Sequence, residues 1–193
     1  IKLGYKKSLL HVVPNGYDLE YFNADSLKRR RWRNEYNVRD DVPCLGMVSR
    51  YDPYKDHKTL ITALSILKSV GLDFRCYLIG SGVTETNAEL TTLISTADLG
   101  NEISLLGPSK DIASVMNGLD IHLLSSSMEA FPNVLAEAMA CQTPCVATSV
   151  GDATSIIGGT GWIAAPKNAH QLASRIEDAI LDWSSSNWSR RCR

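Results

Sequence analysis

From residue 43 to residue 183 the chain alternates between short, continuous apolar runs and longer segments whose apolar residues recur every three or four positions. The short runs are Cys44–Ser49, Phe74–Ile79, Ile103–Leu106, Ile121–Leu124, Pro144–Thr148 and Gly161–Ala164, and each reads as a strand. The periodic segments read as helices. Lys58 to Val70 places Leu60, Ile61, Leu64 and Leu67 on one face, and Ala88 to Ala97, Asp111 to Met116 and Asn168 to Trp183 follow the same rule. Another helix is entered at Pro132, where the fixed φ and missing N–H suit a first turn, and carries Val134, Leu135, Ala138 and Met139 at helical spacing. Strands that are apolar throughout, rather than at alternate positions, are buried on both faces, which predicts a parallel sheet with right-handed crossovers. The expected fold is therefore α/β: a Rossmann-like parallel sheet of about six strands with helices on both faces. Residues 1–42 stand outside the alternation as a lead-in, and residues 184–193 as a polar, frayed tail.

In such a sheet, ligands bind beyond the carboxyl ends of the strands. Arg50, Gly80, Gly107, Ser125 and Gly151 all follow strands, so the topology gathers them on one rim. Glu129-Ala-Phe-Pro-Asn-Val-Leu-Ala-Glu137 is the most informative segment of that rim. The amides and dipole of a helix start form a site suited to an anion such as phosphate, and the two glutamates flank it. A carboxylate accepts two hydrogen bonds, which matches vicinal sugar hydroxyls. Taken alone, the pair reads as a loop carboxylate at Glu129 and a solvated helix residue at Glu137. Arg50 and Lys55, in Arg50-Tyr-Asp-Pro-Tyr-Lys55, can clamp a diphosphate, the first as a planar fork and the second as a mobile point charge. By themselves they also read as a solvated pair.

Composition narrows the class. The 193 residues are 44% hydrophobic and 21% charged, enough for a core-bearing domain, and the formal charge of −1 carries no electrostatic footprint for nucleic acid. No apolar run is long enough to span a membrane. The chain opens on Ile1 without a charged-then-apolar leader, as expected of a fragment. Five scattered cysteines (Cys44, Cys76, Cys141, Cys145, Cys192) lack metal-site spacing and read as reduced, structural residues, which favours a cytoplasmic setting. No metal site is expected.

The Glu129–Glu137 strip resembles the paired-glutamate motif of the family-four retaining glycosyltransferases of GT-B fold. The resemblance extends to Arg50 and Lys55, to His11-Val-Val-Pro-Asn-Gly-Tyr-Asp18 as the strand and turn joining the two GT-B domains, to the Gly80-Ser-Gly82 turn, to Leu106-Gly-Pro-Ser109 and to Pro144-Cys-Val-Ala-Thr-Ser-Val-Gly151. Together these cover about Leu10 to Ala165 in the family's order. The resemblance implies the C-terminal, donor-binding half of such an enzyme, inactive alone and missing its N-terminal acceptor domain. The donor is a nucleotide-diphospho-sugar, UDP- or GDP-linked, and the acceptor a glycan or a lipid-linked glycan. Glu129 faces the transferred hexose and is the implied catalytic residue, Glu137 holds the ribose, and Arg50 and Lys55 hold the diphosphate. Ala130, Phe131, Pro132, Asn133 and Val134 line the anion site, and Leu106 and Gly107 face the base. No cofactor and no metal are implied. The Glu129-Ala-Phe-Pro-Asn and Arg50-Tyr-Asp-Pro variants look most like enzymes of bacterial surface polysaccharide, including lipopolysaccharide, at work in the cytoplasm or against the inner membrane face.

Three positions depart from the family pattern. Gln142 replaces a common glycine and is acceptable if the helix ends there without a left-handed residue; Ala130 stands where glycine is frequent; Ser155 stands where many relatives have glutamate. His57, His122 and His170 have no ligand spacing and read as packing or surface residues. The basic run Lys28-Arg-Arg-Arg-Trp-Arg33 reads as a solvated helix face, with anionic lipid headgroups as the alternative. Two other functions fit the architecture: a nucleotide-sugar epimerase, and a non-catalytic nucleotide-sugar-binding module.

Overall fold

A computed structural model describes residues 6–11, 13 and 15–185 of the chain. The six apolar runs become β1 (Cys44–Val48), β2 (Arg75–Ile79), β3 (Ile103–Gly107), β4 (Ile121–Leu124), β5 (Cys145–Thr148) and β6 (Trp162–Ala164). They form one sheet in the order β3-β2-β1-β4-β5-β6, and every neighbouring pair is parallel. The α/β fold and its six-stranded parallel sheet are as the pattern predicts. The chain reverses direction across the sheet between β1 and β4, which creates a crevice at their carboxyl ends.

Each sheet face carries its own apolar core. One is closed by α2 (His57–Ser69), α3 (Ala88–Thr96) and α7 (Ala169–Trp183), which contribute Leu60, Leu64, Leu90, Leu172 and Ile176. The other is closed by α1 (Ser26–Glu35), α4 (Ile112–Gly118), α5 (Asn133–Ala140) and α6 (Ala153–Ile157), through Trp32, Met116, Leu135 and Ile157. Side-chain caps set the starts of several helices: Asp25, Asp56, Asn87, Asp111 and Asn168 each accept a hydrogen bond from a first-turn N–H.

The structure revises three readings. The basic run is not a uniformly solvated face: in α1, Arg30 and Arg31 are exposed, but Trp32 and Arg33 are buried. Arg33 donates to Asp120 Oδ2 at 3.4 Å, and Arg29 to Asp120 Oδ1 at 2.6 Å. Gln142 does take the left-handed conformation (φ 60°), because the backbone must turn sharply from α5 into β5. The expected strand and turn of His11–Asp18 include Val12 and Pro14, which lie outside the described residues. Pro132 precedes α5 as its N-cap rather than occupying its first turn. Residues 186–193, with Cys192 and most of the expected tail, also lie outside the described set. The other four cysteines are buried free thiols, and burial raises the pKa of each, that of Cys44 to about 12.

Candidate functional site

The loop after β1 is built to hold one lysine in place. Asp52 caps a 3-10 turn over Pro53–Lys55 by accepting from Tyr54 N–H at 2.9 Å, and Pro53 supplies the fixed φ at its start. Asp56 follows in a left-handed conformation (φ 50°) and accepts from Thr59 N–H, so the chain reverses directly into α2. Across the β1–β4 crevice, Ser125 Oγ donates to the Lys55 carbonyl at 2.8 Å, and Ser127 N–H to the Tyr54 carbonyl at 2.7 Å. The two loops are thereby fastened to each other.

Lys55 Nζ then meets Glu129 Oε1 at 2.5 Å, with both side chains mostly withdrawn from water (19% and 13% exposed). Ser126 Oγ donates to the same Oε1 at 2.6 Å. Ser126 is fully buried, and its carbonyl accepts from Thr148 Oγ1 of β5 at 2.6 Å. Behind Glu129, Gly151 is in a left-handed conformation (φ 50°), and a Cβ there would fall 2.3 Å from the Ala130 carbonyl oxygen and 2.5 Å from that of Glu129. Asp152 N–H donates to the Ala130 carbonyl at 3.0 Å. A side chain at Gly151 would therefore push the glutamate loop out of place.

Downstream, Pro132 is buried and offers no side-chain cap, which leaves the amides of the first turn of α5 without a side-chain acceptor. The Asn133 side chain does not fold back onto them. Its Oδ1 instead accepts from Asn15 Nδ2 at 2.8 Å and from Tyr17 Oη at 2.9 Å. Glu137 lies one turn along α5, half-buried, and burial raises its pKa above the ordinary value. Burial also raises the Tyr17 phenol, and the nearby Glu137 carboxylate adds to that shift.

The structure thus brings together Lys55, Glu129 and the glutamate helix, and adds Ser126, Asn15 and Tyr17, which the sequence reading missed. Ser126 carried a faint signal, three residues before Glu129 in a run of serines leaving β4. The bonds of Asn15 and Tyr17 join residues more than a hundred positions apart and leave no local trace in the sequence. Arg50 stands apart: its side chain is 67% exposed and bonds Asp52 Oδ2 at 3.1 Å. Leu106 and Gly107 sit two strands from β1 on the same rim, where Gly107 accepts from Gly80 N–H and donates to the Val83 carbonyl, each at 2.8 Å. Ala130 is exposed, and Phe131 and Val134 are half-buried beside the α5 start. Ser155 is exposed on α6.

The histidines fall outside this constellation. His122 is buried in β4, with its pKa lowered to about 3 by burial. His57 is buried at the start of α2 within 3.4 Å of Ser49 Oγ, and its pKa is lowered to about 4, chiefly by burial. No helix among the described residues is long and apolar enough to cross a membrane, and no group of three or more His, Cys, Asp or Glu among them gathers to hold a metal ion.

The model of the family "Glycosyl transferases group 1" matches residues 28–192. The capsular polysaccharide biosynthesis glycosyltransferase CapM of Staphylococcus aureus is 28% identical over 170 residues, 87% of this chain and 44% of that protein. A glycosyltransferase of Rickettsia africae superimposes with a TM-score of 0.87 at 28% identity, over 97% of this chain and 51% of that one. HepE of Anabaena, solved in complex with UDP and glucose, gives a TM-score of 0.83 at 25% identity, over 99% of this chain and 52% of its own. The chain spans less than half the length of the curated relatives it matches and about half that of these two solved structures.

Proposed function

We propose for this chain, which belongs to the group 1 glycosyl transferases of GT-B fold, the role of the donor-binding half of a retaining enzyme that transfers a hexose from a nucleotide-diphospho-sugar. The single observation that carries the reading is the Lys55–Glu129 pair at the β1–β4 crevice, next to the uncapped start of α5. An ammonium has three donors, so Lys55 can keep its bond to Glu129 and still offer two to phosphate oxygens. A cation between diphosphate and carboxylate also removes the repulsion that would otherwise keep both anions from one crevice.

In this reading the diphosphate lies on Lys55 and the amides of Phe131, Asn133 and Val134, and Arg50 joins it by exchanging Asp52 for phosphate. The same cations and the α5 dipole take up leaving-group charge, so the proposal requires no metal and no cofactor beyond the donor. Glu137 holds the ribose, and the base lies along the rim toward Leu106 and Gly107. From β4 to β3 is three strand spacings, roughly 14 Å, a span suited to a nucleotide diphosphate. Glu129 faces the transferred sugar. The complex of HepE with UDP and glucose supports this class of donor. Bacterial surface polysaccharide is the proposed product class, in keeping with the capsular polysaccharide of CapM, and a glycan or a lipid-linked glycan the proposed acceptor. The exposed Arg30 and Arg31 are the residues of the basic run left for a membrane surface.

The test is a comparison of ligands. Lys55→Ala should weaken binding of a nucleoside diphosphate about tenfold or more, as loss of a charge-assisted bond implies, and leave nucleoside binding nearly unchanged. Equal losses for both ligands would contradict the diphosphate clamp.

A further inference from the structure

The proposed donor site contains a carboxylate of which only one oxygen is taken up by the protein. Glu129 Oε1 accepts from both Lys55 Nζ (2.5 Å) and Ser126 Oγ (2.6 Å), while no group among the described residues donates to Oε2. The two donors differ in kind. Lys55 is a long, flexible side chain whose ammonium also serves the diphosphate in the reading above. Ser126 is short, fully buried, and held from behind by Thr148 Oγ1 on its carbonyl. In that site Lys55 divides its three donors between Glu129 and phosphate, whereas the single hydroxyl proton of Ser126 is committed to Glu129.

We infer that Ser126 is a positioning residue of the donor site, which locks Glu129 through Oε1 so that Oε2 is presented to a hydroxyl of the sugar in a nucleotide-diphospho-hexose. The inference rests on the donor-site reading above and assigns to Ser126 the discrimination between a nucleotide and its sugar conjugate. A glutamate side chain has three rotatable bonds, and fixing one oxygen against a buried hydroxyl selects a single orientation before the sugar arrives. The neighbouring serines act elsewhere, since Ser125 and Ser127 bond the backbone carbonyls of Lys55 and Tyr54. One hydroxyl of the Ser125-Ser-Ser127 run thus sets the carboxylate, while the other two fasten the loop.

The test measures affinities of the chain for UDP, GDP, UDP-glucose and GDP-mannose by calorimetry, in the wild type, in Ser126→Ala and in Ser126→Cys. In Ser126→Ala the affinity for the nucleoside diphosphate should stay within about twofold, while the extra affinity conferred by the sugar falls about tenfold, the scale of a hydrogen bond to a charged group. Ser126→Cys keeps a weak donor of similar size and should fall between the two; it also serves if the alanine variant does not fold. A purely structural role would weaken nucleotide and nucleotide-sugar together, and that result overturns the inference. Unchanged discrimination in both folded variants overturns it as well, leaving the donor site intact. Failure of the wild type to bind any of the four ligands overturns the donor-site reading itself.

Discussion

Two carboxylates bracket β4 and are used in opposite ways. Asp120 lies immediately before the strand, at the amino edge of the sheet, and Glu129 lies beyond its carboxyl end. Asp120 is closed: Oδ1 accepts from Arg29, Oδ2 accepts from Arg33 and from Cys44 N–H at 2.9 Å, and the side chain is 2% exposed. Glu129 is open, with both of its protein donors on one oxygen. A buried carboxylate satisfied on both oxygens has nothing left for a ligand and serves to bind α1 to the sheet. One satisfied on a single oxygen, at the carboxyl edge of a parallel sheet, keeps half its capacity for a partner that the fold does not supply.

The sharpest way to break this contrast is to remove each carboxylate in turn. Asp120→Ala takes from the buried Arg33 guanidinium its one buried carboxylate partner among the described residues, leaving it the exposed Asp40 at 3.0 Å, and should cost about 3 kcal/mol in urea unfolding. Glu129→Gln removes the charge without changing the shape. It should leave the urea midpoint close to wild type and lower turnover of the intact enzyme about a hundredfold or more, as loss of a preorganised electrostatic contact does. Inverted results, with Asp120→Ala folding normally and Glu129→Gln unfolding, would remove the distinction between the two edges.

The contrast was only half legible in the sequence. The strands, most of the helices and the parallel sheet follow from apolar runs and 3.6-residue periodicity, because those patterns are set by burial on each element. Glu129 and Lys55 could be singled out because they sit in short motifs next to strand ends. Asp120 could not, since its partners are an arginine pair some ninety residues earlier and the Cys44 amide 76 positions away. The same distance explains the misreading of Lys28–Arg33: a run of like charges on one helix looks solvated until a buried acid is placed beneath two of them. Gln142 shows a different limit. Side-chain chemistry argues against a left-handed residue there, but the tight passage from α5 to β5 imposes one.

Between the two carboxylates on β4 lies His122, and His57 begins α2 behind the Lys55 turn. Their native pKa values, about 3 and about 4, lie below the ordinary 6.5, so the unfolded chain binds protons that the native chain refuses. Stability should therefore be fully present above pH 6.5 and fall as the pH drops toward 4. In His57→Gln part of that slope should vanish from a series of urea titrations across this range. A smaller effect is expected at Gln142: Gln142→Gly removes the left-handed strain and should raise stability by about 0.5–1 kcal/mol, read as a shift in the thermal midpoint without change in nucleotide affinity.

The central claim is that the open edge, and not the closed one, receives the nucleotide. Backbone amide shifts of the isotope-labelled chain, followed while UDP and then GDP are titrated to millimolar concentration, test it most directly. The expected result is a set of shifts at Lys55, Leu106, Phe131 and Asn133 to Glu137 for one of the two nucleotides, with Arg29, Arg33 and Asp120 unmoved. Shifts gathered around Asp120, or none at all for either nucleotide, would contradict the account.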